Sequence, residues 1–201
     1  MLSSEEITRF DDVVAPPGQS PYVPGQGPST DVAVREYDPA WPFAYQQISG
    51  IVRAALGRAV LGLEHVGSTA VPALPAKPII DVDLIVADVG AEPDYVPALE
   101  AHGFALVVRE PWWYGHRLLR NDAPRCNLHV WSPECAEAAR HIVFRDWLRA
   151  NAVDRSLYAG AKQAASSETV SAGGTVVEYN AHKARVIREI YQRAFGARGW
   201  V

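Results

Sequence analysis

Hydrophobic and polar positions change period several times along this chain, and each change marks an expected element. Residues 11–31 hold five prolines and three glycines with little apolar pattern. They are expected to form an extended or mobile N-terminal arm, spanning residues 1–31, that wraps its own domain or a neighbouring subunit of a homodimer. The stretch 32–42 begins like a short strand at Val32 and Val34, then Asp38-Pro39 turns the chain and Pro42 is placed to open a helix. Over residues 43–58 the apolar positions Phe43, Ile48, Ile51, Val52, Ala55 and Leu56 recur at helical spacing, with Gly57 as the stop. A strand is expected at 60–66, followed by a turn at Gly67-Ser68-Thr69. Pro72, Pro75 and Pro78 exclude a regular element between that turn and the next strand, residues 79–86.

Further along, residues 93–102 suit a short helix ending at Gly103. Strands are expected at 104–109, 114–120 and 125–131, the last two joined as a hairpin by Asn121-Asp122-Ala123-Pro124. Ser132 is expected to cap a helix that has Pro133 first and runs to about residue 150. Further helices follow near 153–165 and, after Ser171-Ala172-Gly173-Gly174, over 175–195. No internal repeat interrupts this order. The pattern predicts an α/β (α+β) protein: a single domain over 32–201, with a mostly helical C-terminal third from about 133.

Composition narrows the classes. A chain of 201 residues, 48% hydrophobic and 21% charged, is long enough for one well-buried domain. A net charge of −4 argues against a general nucleic-acid surface. No apolar run reaches the roughly 18–20 residues of a membrane span, and the N-terminal MLSSEEITRFDDVV lacks the basic and apolar regions of a signal peptide, so a cytoplasmic location is expected. Cys126 and Cys135 fit that compartment as reduced thiols without a C-x-x-C pairing.

Candidate chemistry concentrates in EHVGSTAVPALPAKPIIDVDLIV, residues 64–86. Alternate strand positions put Asp81 and Asp83 on one face and Ile80, Val82 and Leu84 on the other. Two adjacent carboxylates repel unless a proton or cation sits between them, and hard Mg²⁺ or Mn²⁺ prefers such oxygens; the alternative is a solvated strand face. The Gly67-Ser68 turn lets backbone approach a ligand and offers N–H and hydroxyl groups to a phosphate. Lys77 stands between prolines before Asp81, where it meets either a phosphate or solvent. His65 reads as packing or turn support. Trp112-Trp113-Tyr114 before Gly115-His116-Arg117 offers either stacking surfaces with a basic group for phosphate, or a hydrophobic hairpin base. His141, Arg145 and Arg149 recur at four-residue steps on one helix face that looks into a cleft or into solvent. Lys162, Lys183 and Arg185 are further candidates for a substrate wall.

The Gly-Ser turn after one strand and Asp-x-Asp on the next resemble the nucleotidyltransferase superfamily of the DNA polymerase β type. Tyr37-Asp38-Pro39-x-Trp41-Pro42, His65-Val66-Gly67-Ser68-Thr69-Ala70-Val71-Pro72 and Ala76-Lys77-Pro78-Ile79-Ile80-Asp81 are similar, in order and spacing, to the GrpB family. So are Asn127-Leu128-His129-Val130 and Phe144-Arg145-Asp146-Trp147-Leu148-Arg149. The resemblance covers roughly residues 34–195. It implies a nucleotidyltransferase-like mixed β-sheet flanked by helices. It also implies phosphate contacts from Gly67, Ser68, Thr69, Lys77 and Arg117, catalytic Mg²⁺ or Mn²⁺ on Asp81 and Asp83, and a nucleoside triphosphate or phosphorylated small molecule as ligand. The superfamily's third carboxylate is missing from strand 125–131, which offers Asn127, His129 and Trp131 instead. His129 is expected either in that third place, as ligand or general base, or hydrogen-bonded within the sheet. Two functions follow: metal-dependent nucleotidyl transfer to an unknown acceptor, or nucleotide or phosphometabolite binding without turnover. A phosphatase-type Asp pair ranks last, because it leaves the Gly-Ser turn unexplained.

Overall fold

The computed structural model describes residues 2–10 and 13–201; Asp11 and Asp12, where the proline-rich arm was expected to begin, lie outside the described residues. Five strands form one mixed sheet: β1 (Gly62–Val66), β2 (Ile80–Ile85), β3 (Ala105–Glu110), β4 (His116–Asp122) and β5 (Arg125–Trp131). Their spatial order is β1-β2-β5-β4-β3, with β2 parallel to β5 and the other neighbours antiparallel. The period-two pattern of β2 has the anticipated effect. Ile80, Val82 and Leu84 are buried on one face together with Leu119, Leu128 and Val130.

That apolar face is closed by two helices. In α2 (Trp41–Leu56) Pro42 occupies the first turn, Ile48 and Val52 are fully buried, and Gly57 ends the helix at φ 55°. The helix expected at 93–102 is broken near its start. A 3-10 turn over Glu92–Asp94 is followed by α3 (Val96–Glu100), because Tyr95 leaves the helical region at φ −138°. Leu99 of α3 and Phe104 complete the core.

The polar face is covered by the C-terminal helices α4 (Ala136–Ala150), α5 (Ala152–Ser171) and α6 (Val176–Gly196). The helix expected to start at Ser132 starts later. Ser132 Oγ accepts from the Val89 N–H at 3.0 Å, Glu134 turns left-handed at φ 58°, and Cys135 becomes the N-cap residue. Helix α5 is longer than the 153–165 its pattern suggested, and α6 opens with a capping box formed by Thr175 and Glu178. Val32 does not start a strand. It is buried against Ala165 and Tyr179, and Arg35 makes a single bridge with Ala76.

Two described segments before residue 31 lie against their own domain. Helix α1 (Ser4–Thr8) buries Ile7 beside Val143, Tyr191 and Phe195. The next segment pairs with the outer edge of β3: the Val23 N–H donates to Val107 O at 3.0 Å and the Arg109 N–H to Pro21 O at 2.8 Å. The main anchor of α1 is Arg140 of α4, whose side chain is 1% exposed. Its guanidinium donates to the carbonyls of Ile7 and Arg9 at 3.0 and 2.9 Å, to the Tyr114 hydroxyl at 3.0 Å, and to Glu137 at 2.7 Å.

Asp154 ties the three C-terminal helices together. It accepts from Trp147 Nε1 at 2.6 Å and, bidentately, from Arg193 at 2.7 and 3.0 Å. The Arg193 guanidinium chiefly holds the Asp154 carboxyl below the usual carboxylate range, and Trp147 helps. A depressed folded-state pKa stabilises above the unfolded value, and that contribution is lost as pH falls through the folded one. Asp154→Asn is therefore expected to cost about 1–3 kcal/mol in denaturant unfolding near neutral pH. The difference from the native protein should shrink below about pH 4. A difference of the same size at both pH values would contradict the assignment.

Candidate functional site

The polar face of the sheet opens into a cleft of about 400 Å³ between β2, β5 and α6. The turn after β1 is the tightest part of its wall. Gly67 takes φ 67°, and a Cβ there would lie 2.9 Å from Asp81 Cβ and press on the Asp81 carboxylate. Glycine at this position is thus required twice, by backbone sign and by the closeness of Asp81. Ser68 lies on the cleft wall, and among the described residues its hydroxyl has no protein hydrogen-bond partner. Thr69 also lines the cleft, but its hydroxyl lies 3.0 Å from His65 Nε2. His65 stacks on Tyr45 with ring centroids 4.8 Å apart, and burial holds its pKa down to about 4. A neutral His65 therefore braces the turn from behind, the packing role expected of it.

Parallel pairing of β2 and β5 sets Asp81 opposite Asn127 and Asp83 opposite His129. The two aspartates share a face but not an environment. Asp81 keeps 31% of its side chain exposed and accepts from Asn127 Nδ2 at 2.9 Å. His129 Nε2 stands 4.0 Å from Asp81 Oδ1. Burial raises the Asp81 carboxyl, but His129, Asn127 and Lys77 outweigh it and hold the group below the ordinary range. Behind His129 runs a short polar chain: its Nδ1 is 3.0 Å from His116 Nε2, and His116 Nδ1 is 2.7 Å from Glu110 Oε2. His116 is 4% exposed, and burial keeps its ring neutral.

Asp83 is enclosed, at 2% exposed. Trp131 Nε1 donates to its Oδ1 at 2.9 Å, and His141 Nδ1 lies 3.1 and 2.9 Å from its two oxygens. His141 Nε2 is also 3.5 Å from Glu137. Burial alone would push His141 down, but Asp83 and Glu137 raise it well above the ordinary histidine range, so it stands as an imidazolium between two carboxylates. Glu137 is held at about 2, because His141 and Arg140 overcome its burial. His141 and Arg145 thus look into the domain, while Arg149, on the same face, stays exposed at its edge. Arg145 donates to Glu64 and His65 O at 2.8 and 2.9 Å, and Arg149 to Ala70 O at 2.9 Å.

This donor set does not fit the divalent cation that the resemblance implies. Mg²⁺ and Mn²⁺ are held by one or two carboxylates together with substrate phosphates and water, and the pair implied here is Asp81 with Asp83. Here both oxygens of Asp83 are taken by a cation and an indole N–H, and His129 stands where a third acid was expected. Among the described residues, no group of three or more His, Cys, Asp or Glu side chains is arranged to hold a metal. The Asp83 carboxylate is not open to the cleft as a ligand.

The cations sort differently from their sequence order. Lys77 lies over the Tyr179 ring at 4.9 Å, and Lys183 lies 4.7 Å from the same ring. Burial lowers Lys77 to about 8 despite the opposing pull of Asp81. Lys162 is 2% exposed and donates to Pro75 O at 2.6 Å, and burial takes it well below the lysine range. Arg117 does not join the site. It lies on the opposite face of β4, donates to Glu92 at 2.5 Å and to Gly115 O at 2.6 Å, and belongs to the α2 and α3 side of the sheet. Its place in the cleft is taken by Arg120, which pairs in register with Asn127. The Trp113 ring packs on Trp131 and His116 at 5.6 and 5.3 Å, so it supports the site from within.

A family model described as GrpB protein matches residues 31–193. A UPF0157 protein of Halalkalibacterium halodurans is 42% identical over 166 residues, covering 83% of this chain and 84% of the relative. The dephospho-CoA kinase of Mycolicibacterium paratuberculosis is 28% identical over 192 residues, 81% of this chain but 46% of that protein's length. The crystal structure of the conserved protein GrpB from Enterococcus faecalis, 28% identical, covers 83% of this chain and 99% of its own, with a TM-score of 0.71. With the family match spanning most of the chain and the same fold in a solved relative, this chain belongs to the GrpB family.

Proposed function

We propose that the cleft binds a phosphorylated small molecule, a nucleotide or phosphometabolite, with its phosphate at the Gly67-Ser68-Thr69 turn. One observation carries this reading: Lys77, Arg120 and Lys183 face the cleft beside the Ser68 turn, and Asp81 is the one carboxylate among the described residues lining it. Ammonium and guanidinium groups around a serine turn suit phosphate oxygens, which accept charge-assisted hydrogen bonds. The relative named a dephospho-CoA kinase, matched over less than half its length, adds support for a nucleotide-bearing ligand.

A second reading, nucleotidyl transfer to an acceptor, is favoured by the order of parts: the Ser68 turn, then Asp81 and Asp83 side by side on β2. Asp81 and His129 are then the groups near the reacting atoms, and His129 Nε2 is placed to take a proton from an acceptor hydroxyl. The engagement of Asp83 with His141 and Trp131 ranks this reading second.

Pyrophosphate titrated by calorimetry separates the elements of the first reading. Lys77→Met and Ser68→Ala are each expected to weaken binding, Lys77→Met by about tenfold or more, the size of a lost charge-assisted hydrogen bond. Because Lys77 must be charged and loses its proton as pH rises through about 8, affinity should fall above that value. Lys77→Arg should hold it level up to roughly pH 9.5. Unchanged affinity in Lys77→Met would remove the phosphate from this turn.

Metal dependence separates the second reading. Mn²⁺ titrated alone and followed by electron paramagnetic resonance is expected to remain free in solution. Bound Mn²⁺ that Asp81→Asn releases would instead favour transfer chemistry.

A further inference from the structure

A second chamber of about 410 Å³ adjoins the cleft and shares Gly67, Ser68, Asp81, His141, Asn180 and Lys183 with it. The two differ in what their apolar walls are made of. Beyond the shared residues the cleft sets Lys77, Arg120, Asn127 and His129 among mainly aliphatic side chains, whereas the chamber gathers four rings, Phe10, Phe144, Tyr158 and Tyr191, beside Ile187. Arg145 and Arg188 add guanidinium planes to these rings. From the wall chemistry we infer that the chamber takes a flat heteroaromatic ring, of the nucleobase class, carried by the same ligand whose phosphate rests on the Ser68 turn. The inference rests on the phosphate reading above and adds the identity of the other end of the ligand.

Three observations carry it. The volume lies within the roughly 300–1,000 Å³ of small-molecule sites and suits a ring system with its sugar. Aromatic faces and guanidinium planes stack on π systems, which an alkyl chain does not exploit. The edge is polar at Asn180, which lines the chamber where the rim of a heterocycle would need a hydrogen-bond partner.

Phe10 is the unusual wall. It lies outside residues 31–193, the span shared with the family. It is nonetheless fixed: its ring meets Tyr191 edge-on at 5.1 Å and backs the Arg188 guanidinium at 3.7 Å, with that of Arg140 5.1 Å away. Arg140 meanwhile binds the carbonyls of Ile7 and Arg9 on either side of the preceding residues. The N-terminal segment is therefore built into the chamber, and it gives this chain a ring-binding wall that the family-matched residues do not supply.

The test compares AMP with ribose 5-phosphate, which differ in the ring alone, by calorimetry on the full chain. AMP is expected to bind about tenfold more tightly, the order of one stacked base. Phe10→Ala should reduce that preference several-fold while leaving ribose 5-phosphate affinity unchanged. Ile187→Trp, which fills the chamber from the opposite wall, should abolish the preference, with thermal unfolding recorded for both variants to confirm a folded domain. Equal affinities for the two ligands in the native protein would overturn the chamber assignment and leave the phosphate site standing. Binding of neither would overturn both. A preference that survives Phe10→Ala and Ile187→Trp in folded protein would place the ring elsewhere and also overturn it.

Discussion

Two carboxylates on one face of a central strand present an electrostatic problem that governs everything above β2. Asp81 and Asp83 are separated by one residue on a strand whose other face, Ile80, Val82 and Leu84, is buried in the apolar core, so neither can turn away from the other. A shared cation between them is one solution. This chain uses another, giving each acid its own partners. Asp83 receives an imidazolium and an indole N–H and is closed off, while Asp81 receives Asn127, His129 and a share of Lys77 and stays open. The consequence reaches α4, because the residue that neutralises Asp83 is His141, and α4 must lie close over the sheet to deliver it. Helix packing and site charge are the same constraint seen from two sides.

A buried ion pair of this sort is a weak source of stability but a strong source of specificity, since a lone charge left in its place is costly. His141 lies between Asp83 and Glu137, and Glu137 is also gripped by Arg140, which holds the N-terminal helix. A continuous polar path therefore runs from β2 to residues far outside the sheet. It explains why a short helix of five residues, too short to be stable by itself, has a defined place in the fold.

Much of this was legible in the sequence where a local rule decides the outcome. The alternation in PIIDVDLIV set the two faces of β2, the Pro42 start and Gly57 stop bounded α2, and the Gly67-Ser68 turn fell where a glycine was required. The misplacements share one cause, competition from a distant partner. Ser132 looks like a helix cap, yet its hydroxyl serves the Val89 N–H, a partner 43 residues away that no local pattern reveals. Arg117 was the expected phosphate ligand, but β4 carries polar and apolar residues on both faces, so its pattern does not say which face meets the cleft. Only pairing with β5 decides that Arg120 faces the cleft and Arg117 faces Glu92. The helical spacing of His141, Arg145 and Arg149 was visible, but which way that face pointed depended on how α4 docks. The enclosure of Asp83 follows from the same docking and could not be read from β2 alone.

The contact of residues 21–23 with β3 has a meaning beyond the cleft. Strand β3 ends the sheet, and an uncovered end offers a row of unpaired amides and carbonyls to any other chain in solution. Hydrogen bonds at Val23 and Arg109 close part of that row, and the Tyr22 side chain, carried by the same stretch, reaches the cleft wall. Cover for the sheet edge and part of the cleft wall thus come from a single short segment. A substitution there would act on the sheet edge and the cleft wall together, although the segment lies outside the span by which the family is recognised.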